Sequence, residues 1–136
     1  LDSGGVFLWK SPYFTGQKRL RYFVVIGNVI YYYEVKDNNE KVLKGTIIIT
    51  PTTYLTRSES GTIKISDSRR LRVYTLQYDK AKNGNSRHRF NLFIEVIGSA
   101  IAEQNRHADQ AAARRRAAQQ AAAQLAAASS VAFTPV

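Results

Sequence analysis

The β-branched and aromatic residues of this chain come in short runs, each stopped by turn residues, and that pattern constrains the fold most. Val6–Lys10 is one run, 19–26 a second, and Val29–Val35 a third, reading Val-Ile-Tyr-Tyr-Tyr-Glu-Val. Lys44–Thr50, Thr62–Ile65, Leu71–Tyr78 and His88–Val96 follow. Such residues suit a pleated, half-buried surface. Between the runs stand Pro12 with Gly16, the hairpin-like dipeptide Gly27-Asn28, the polar stretch Asp37–Glu40, and Pro51. Proline breaks a ladder and glycine permits a tight turn. Seven short strands with evenly spaced turns predict an antiparallel sandwich or barrel.

The composition changes abruptly at Ile97-Gly98-Ser99. Residues 99–128 contain 14 alanines in 30 positions. Alanine is the best helix former because it loses no side-chain entropy. Ser99 is a candidate N-cap and Glu103 falls in the first turn, so a helix is predicted from about 99. At 25 residues or more it would reach roughly 40 Å. Its apolar stripe is thin: Ile97, Ile101, Ala108 and Ala112, then Leu125. Only its first turns can bury much against the strands. We therefore expect a domain over residues 1–115, with strands between about 6 and 96, followed by a helical extension and tail over 116–136.

A chain of 136 residues can hold one domain with a real core. Its formal net charge is +10. Residues 1–98 carry 16 of the 20 basic side chains and 8 of the 10 acidic ones, so the excess sits on the β-rich part. A basic domain seeks anionic partners: nucleic acid, acidic lipid or an acidic protein face. There is no cysteine, which excludes a disulfide framework and thiolate metal ligation and fits a reducing compartment. No apolar run approaches the roughly 20 residues that span a bilayer. The first residues, Leu1-Asp2-Ser3-Gly4-Gly5, do not read as a signal peptide, and the start without Met reads as a piece of a longer protein.

Three cations, Lys18, Arg19 and Arg21, open the second run. Side chains two apart in a strand share a face, so Arg19 and Arg21 point together and Lys18 points away. Lys10 ends the first run and would lie across from the arginine pair in a hairpin. Like charges aimed at one spot repel unless an anion sits between them. The bland reading is a solvated hairpin tip.

The chain resembles the pleckstrin-homology (PH) domain family. Val6-Phe7-Leu8-Trp9-Lys10 resembles its first strand, Arg21-Tyr22-Phe23-Val24-Val25 its second, Ile30-Tyr31-Tyr32-Tyr33-Glu34 its third, and Leu43-Lys44-Gly45-Thr46-Ile47 its fourth. The resemblance implies a mainly β fold: a seven-stranded antiparallel, partly open barrel of two near-orthogonal sheets, closed by one C-terminal α-helix, here long and Ala-rich. Members that bind phosphoinositides carry a lysine, a gap, then a basic residue two before an arginine across the first two strands. Lys10, Arg19 and Arg21 match as they stand. Tyr32, eleven positions after Arg21, and Lys44, just before the fourth-strand glycine, match further phosphate contacts of such members. The loop before the seventh strand adds contacts in some of them, and Lys80, Lys82, Asn85 and His88 are what it offers here. The family's helix nearly always carries a tryptophan. This chain's only tryptophan is Trp9, and Ile101 is expected to do part of that packing.

The function implied is non-catalytic: a module recruited from the cytoplasm to phosphoinositide-containing membrane, with no cofactor. Arginine meets a phosphate with a planar fork and lysine meets it as a point charge. Tyr13 and Phe14, next to the basic cluster, are expected to dip into the headgroup region, with Lys18, Lys80, Lys82 and His88 on the rim. Tyr32 is equally readable as a core aromatic with a wet tip. The serious competitor is a protein-interaction module of the same superfold, binding a peptide or a small GTPase without strong lipid specificity. Arg114-Arg115-Arg116 could meet acid on such a partner, though a solvated charge run is the plainer reading. A nucleic-acid role is disfavoured, because of Tyr31-Tyr32-Tyr33 at most two share a face. His88 and His107 stand apart, with no nucleophile or carboxylate pair at a motif spacing, so neither catalysis nor a metal site is predicted.

Overall fold

The computed structural model describes residues 4–13, 15–84 and 87–132. Seven strands come first: β1 (Val6–Lys10), β2 (Arg19–Ile26), β3 (Val29–Val35), β4 (Lys41–Ile48), β5 (Thr53–Arg57), β6 (Thr62–Asp67) and β7 (Arg70–Tyr78). A short helix α1 (Lys80–Asn83) leads to the long helix α2 (His88–Ala132). The strands are all antiparallel and form one open sheet in the order β4-β3-β2-β1-β7-β6-β5. The short ladder of β1 with β7 joins a four-stranded half to a three-stranded half, and β4 and β5 are the free edges.

Alternation along the strands builds the core. Val6 and Leu8 of β1, Phe23 and Val25 of β2, and Ile30 and Tyr32 of β3 are buried on one face. Ile47, Ile49, Ile63, Ile65 and Leu76 complete that face from the other strands. Burying each such side chain contributes about 1.5–3 kcal/mol. The β2–β3 hairpin closes in a two-residue loop, and Gly27 takes φ 62° there, the left-handed region that glycine enters without steric cost. The β3–β4 ladder shifts register between Tyr32 and Tyr33: Tyr32 pairs with Gly45, but Tyr33 pairs with Leu43. Lys44 is thus the extra residue of a β-bulge.

Asp67 ties two corners together. Its carboxylate accepts hydrogen bonds from Thr50 Oγ1 at 2.5 Å, Thr52 Oγ1 at 2.6 Å and the Arg69 amide at 2.9 Å. The β4–β5 connection is thereby fastened to the β6–β7 turn. The two threonine hydroxyls and the amide hold the Asp67 carboxyl well below the usual carboxylate range. At the other end of β7, Asn83 acts as a strand-like partner: its side chain accepts from Phe7 N at 2.8 Å and donates to Phe7 O at 2.7 Å.

Two expectations about the elements need correction. Residues 88–96, read as the seventh strand, are the first turns of α2, which begins at His88 rather than near 99. The burial pattern gives the reason. Phe90, Phe93, Val96, Ile97 and Ala100 are the buried set, with steps of three and four that only a helix brings to one face. Tertiary packing overrides the β preference of Phe-Ile-Glu-Val and carries the helix through Gly98. The seventh strand is supplied instead by Thr53–Arg57, which lies between the predicted fourth and fifth runs.

α2 closes the barrel without a tryptophan. Phe93 meets Phe23 edge-on, with centroids 6.0 Å apart, and Tyr78 packs on Phe90 at 5.1 Å. Ile101 is partly buried against the same core, as expected, and beyond Ala112 the described side chains of the helix are exposed. At 45 residues the helix is roughly 68 Å long.

Candidate functional site

Lys10, Arg19, Arg21, Tyr32 and Lys44 line one cleft of about 250 Å³, together with Pro12 and Gln17 of the β1–β2 loop. The ladder explains the convergence. Lys10 stands across from Arg19, and Leu8 stands across from Arg21. Leu8 and Phe23 are fully buried, so the face that makes the core in mid-sheet becomes cationic at its open end. In a regular ladder Gly45 shares the inner face with Tyr32 and Lys44 would lie on the outer face. The bulge turns it back toward the mouth.

Tyr32 serves both core and cleft. The residue is only 8% exposed and its ring stacks on Phe23 at 5.5 Å. It lies over Gly45, where any Cβ would overlap the phenol. The Lys10 ammonium sits 5.2 Å from the ring centroid, a cation–π distance. Burial is the main reason the Tyr32 phenol titrates above its ordinary value. Burial also lowers the Lys10 pKa, with Arg72 and then Arg21 adding like-charge repulsion. The cleft therefore holds a cation under electrostatic pressure that a bound anion would relieve.

Two neighbours of the cleft were not singled out in the sequence. Arg72 lies over the rings of Tyr13 at 4.9 Å and Tyr74 at 4.3 Å, close enough for Lys10 to feel its charge. Its parity on β7 with Leu76 was the available signal. Glu34 forms an ion pair with Lys44 at 3.2 Å. It shares β3 parity with Tyr32, which placed it on the inner face.

The rim candidates divide. Tyr13 is 52% exposed beside the cleft. Phe14 and Asn85 lie outside the described residues. Lys18 points to the outer face, as alternation requires, and its Nζ donates to Gln77 Oε1 at 3.2 Å. Lys80 and Lys82 are on α1, which Asn83 anchors at Phe7, the far end of β1 from Lys10. His88 opens α2. Lys80, Lys82 and His88 are not among the residues that line the cleft. The segment that carries them follows the seventh strand rather than preceding it.

His107 and Arg106 both pair with Glu103 on the exposed part of α2, a local helix-surface set. Among the described residues no group of three metal-ligating side chains occurs, and no helix is long and apolar enough to cross a membrane. A larger cavity, about 660 Å³, lies elsewhere, between Gly27-Asn28 and the helix face carrying Val96, Ala100 and Glu103.

No protein-family model matches the chain, and no curated protein matches it. Solved structures do. The carboxyl-terminal PH domain of pleckstrin superposes with a TM-score of 0.54 over 74% of this chain and 98% of that one, at 18% identity. The same domain in complex with D-myo-Ins(1,2,3,4,5)P5 gives 0.53 at 19% identity over the same shares. A structure of Vav1 with an allosteric inhibitor gives 0.57 at 12% identity, covering 74% of this chain and 18% of that chain. At such identities the likeness is one of architecture, and it agrees with the strand order, the open sheet and the closing helix described above: this chain has the fold of the pleckstrin-homology domain.

Proposed function

We propose that this chain is a membrane-targeting module that binds phosphoinositide headgroups in the cleft of Lys10, Arg19, Arg21, Tyr32 and Lys44. The observation that carries the reading is the convergence of these four cations on one cleft at the open end of the sheet. A phosphomonoester brings about −1.5 to −2 charges, which matches what the cluster lacks. Arg19 and Arg21 supply forked donors, and Lys10 and Lys44 supply point charges on either side. That a pleckstrin PH domain of the same fold was solved with an inositol pentakisphosphate adds support by analogy.

The rest of the surface assists. The chain carries +10 charges, and each cation near an anionic leaflet contributes roughly 1 kcal/mol. Tyr13, exposed beside the cleft, is the residue that enters the headgroup layer. Binding of this kind places the module on the cytoplasmic side of a membrane, peripherally. Chemistry is not part of the role.

Co-sedimentation with phosphatidylcholine vesicles carrying single phosphoinositides, compared with phosphatidylserine vesicles of equal charge, tests the reading. Binding that follows the phosphorylation pattern of the ring supports it. Binding that follows charge alone contradicts it, because a built cleft distinguishes isomers of equal charge.

A second reading has one observation in its favour. The larger cavity between the β2–β3 turn and α2 could seat a peptide, as in interaction modules of the same superfold. A partner held there would still bind when Arg21 is replaced.

A further inference from the structure

We propose that Glu34 is a charge filter for the cleft: its carboxylate stands where a phosphate would otherwise meet Lys44. Inositol phosphates are then accepted on the Lys10–Arg19–Arg21 side and selected against on the Lys44 side. The inference rests on the phosphoinositide reading and adds a residue that sets which headgroups are taken.

The geometry is specific. Among the described residues, Lys44 is the one cation lining the cleft that has a carboxylate at ion-pair distance, 3.2 Å away. The β-bulge that aims Lys44 into the mouth also brings it beside Glu34. Without the extra residue, the two side chains would lie on opposite faces of neighbouring strands. A hydrogen bond from Lys44, its charge, and more weakly Arg21 and Lys36, hold the Glu34 carboxyl below its ordinary range. Glu34 is therefore ionised across the physiological range, and its release is left to a competing anion rather than to a proton.

The pair is weak enough to break. Both side chains are about 40% exposed, and surface pairs of this kind contribute little to stability. A ligand phosphate, with more charge than a carboxylate, can take Lys44. Glu34 remains tethered beside it, however, and repels the phosphate that replaced it. The penalty falls on headgroups with a phosphate at that side and spares those with phosphates only near Lys10, Arg19 and Arg21. A single carboxylate thus converts a cleft attractive to any polyanion into one that counts phosphates by position.

The test compares wild type, Glu34→Gln and Glu34→Gln/Lys44→Ala, with melting temperatures as a check on folding. The probes are phosphatidylcholine vesicles carrying a mono- or a trisphosphorylated phosphoinositide, and soluble inositol trisphosphate. Glu34→Gln is expected to tighten trisphosphate binding about fivefold and to leave the monophosphate within about twofold. The same gain is expected with the soluble headgroup, and it should vanish when Lys44 is also replaced. No gain, an equal gain for every headgroup, or a gain confined to vesicles would overturn the filter. Absence of binding by the wild type itself would remove the cleft reading and the filter together, and the wild-type measurements alone reveal that case.

Discussion

Arg21 stands directly across from Leu8 in the β1–β2 ladder, on the same face of the sheet. Leu8 is wholly buried, whereas Arg21 is only partly so, and its guanidinium donates to the Leu20 carbonyl at 3.2 Å. The core therefore ends and the cationic cleft begins within one cross-strand pair. Stability and binding can be separated at this boundary. Residues inward of it hold the fold, and residues outward of it repel one another in the absence of an anion.

Gly45 is required by Tyr32. A Cβ at position 45 would collide with the phenol, which has no room to retreat into a packed core. Gly45→Ala should cost about 1–3 kcal/mol and displace the cleft wall. Thermal denaturation measures the first effect, and vesicle binding the second. An unchanged melting temperature would mean that Tyr32 packs less tightly than described.

Asp67 makes stability depend on pH in acid. Its folded-state pKa is depressed by Thr50, Thr52 and Arg69 N, so its contribution is full above the unfolded value of about 3.9. The contribution fades as pH falls from there toward the folded value. Asp67→Asn should lower the melting temperature at neutral pH. Below about pH 4 the gap to wild type should narrow, as protonation of Asp67 removes the same interactions. A gap that stays constant with pH would show that ionisation of Asp67 is irrelevant to the corner.

The two parts of α2 should respond very differently. Phe93→Ala removes a ring fully buried against Phe23 and should cost about 3–5 kcal/mol. Truncation after about residue 115 removes side chains that are exposed wherever they are described, and should change barrel stability by less than about 0.5 kcal/mol. Urea melts of both variants decide this. A large loss on truncation would mean that the extension packs on something.

The cleft was legible in the sequence because its logic is local. Lys10, Arg19 and Arg21 need only the two-residue alternation of strands and one hairpin to converge. Lys44 needed more: it reaches the cleft through a bulge, which residue alternation does not announce, and only the family resemblance pointed to it. Arg72 and Glu34 had the right parity but required the pairing of β7 and β4 with their neighbours before that parity meant anything. Residues 88–96 misled because Phe90, Leu92, Ile94 and Val96 also alternate, so a strand and a helix both fit so short a window. The helical set Phe90, Phe93, Val96, Ile97 and Ala100 stands out only when the pattern is followed past Gly98. Thr53–Arg57 was missed because an edge strand buries little, here Thr53 and part of Leu55.

The most direct test is vesicle co-sedimentation of Lys10→Ala/Arg21→Ala beside wild type on a panel of phosphoinositides, with both melting temperatures measured. The cleft predicts that wild type binds in a headgroup-dependent way and that the double variant loses most of that binding. Its melting temperature should be unchanged or slightly raised, since like charges have been removed. Headgroup-selective binding that survives in the double variant would contradict the assignment of the cleft.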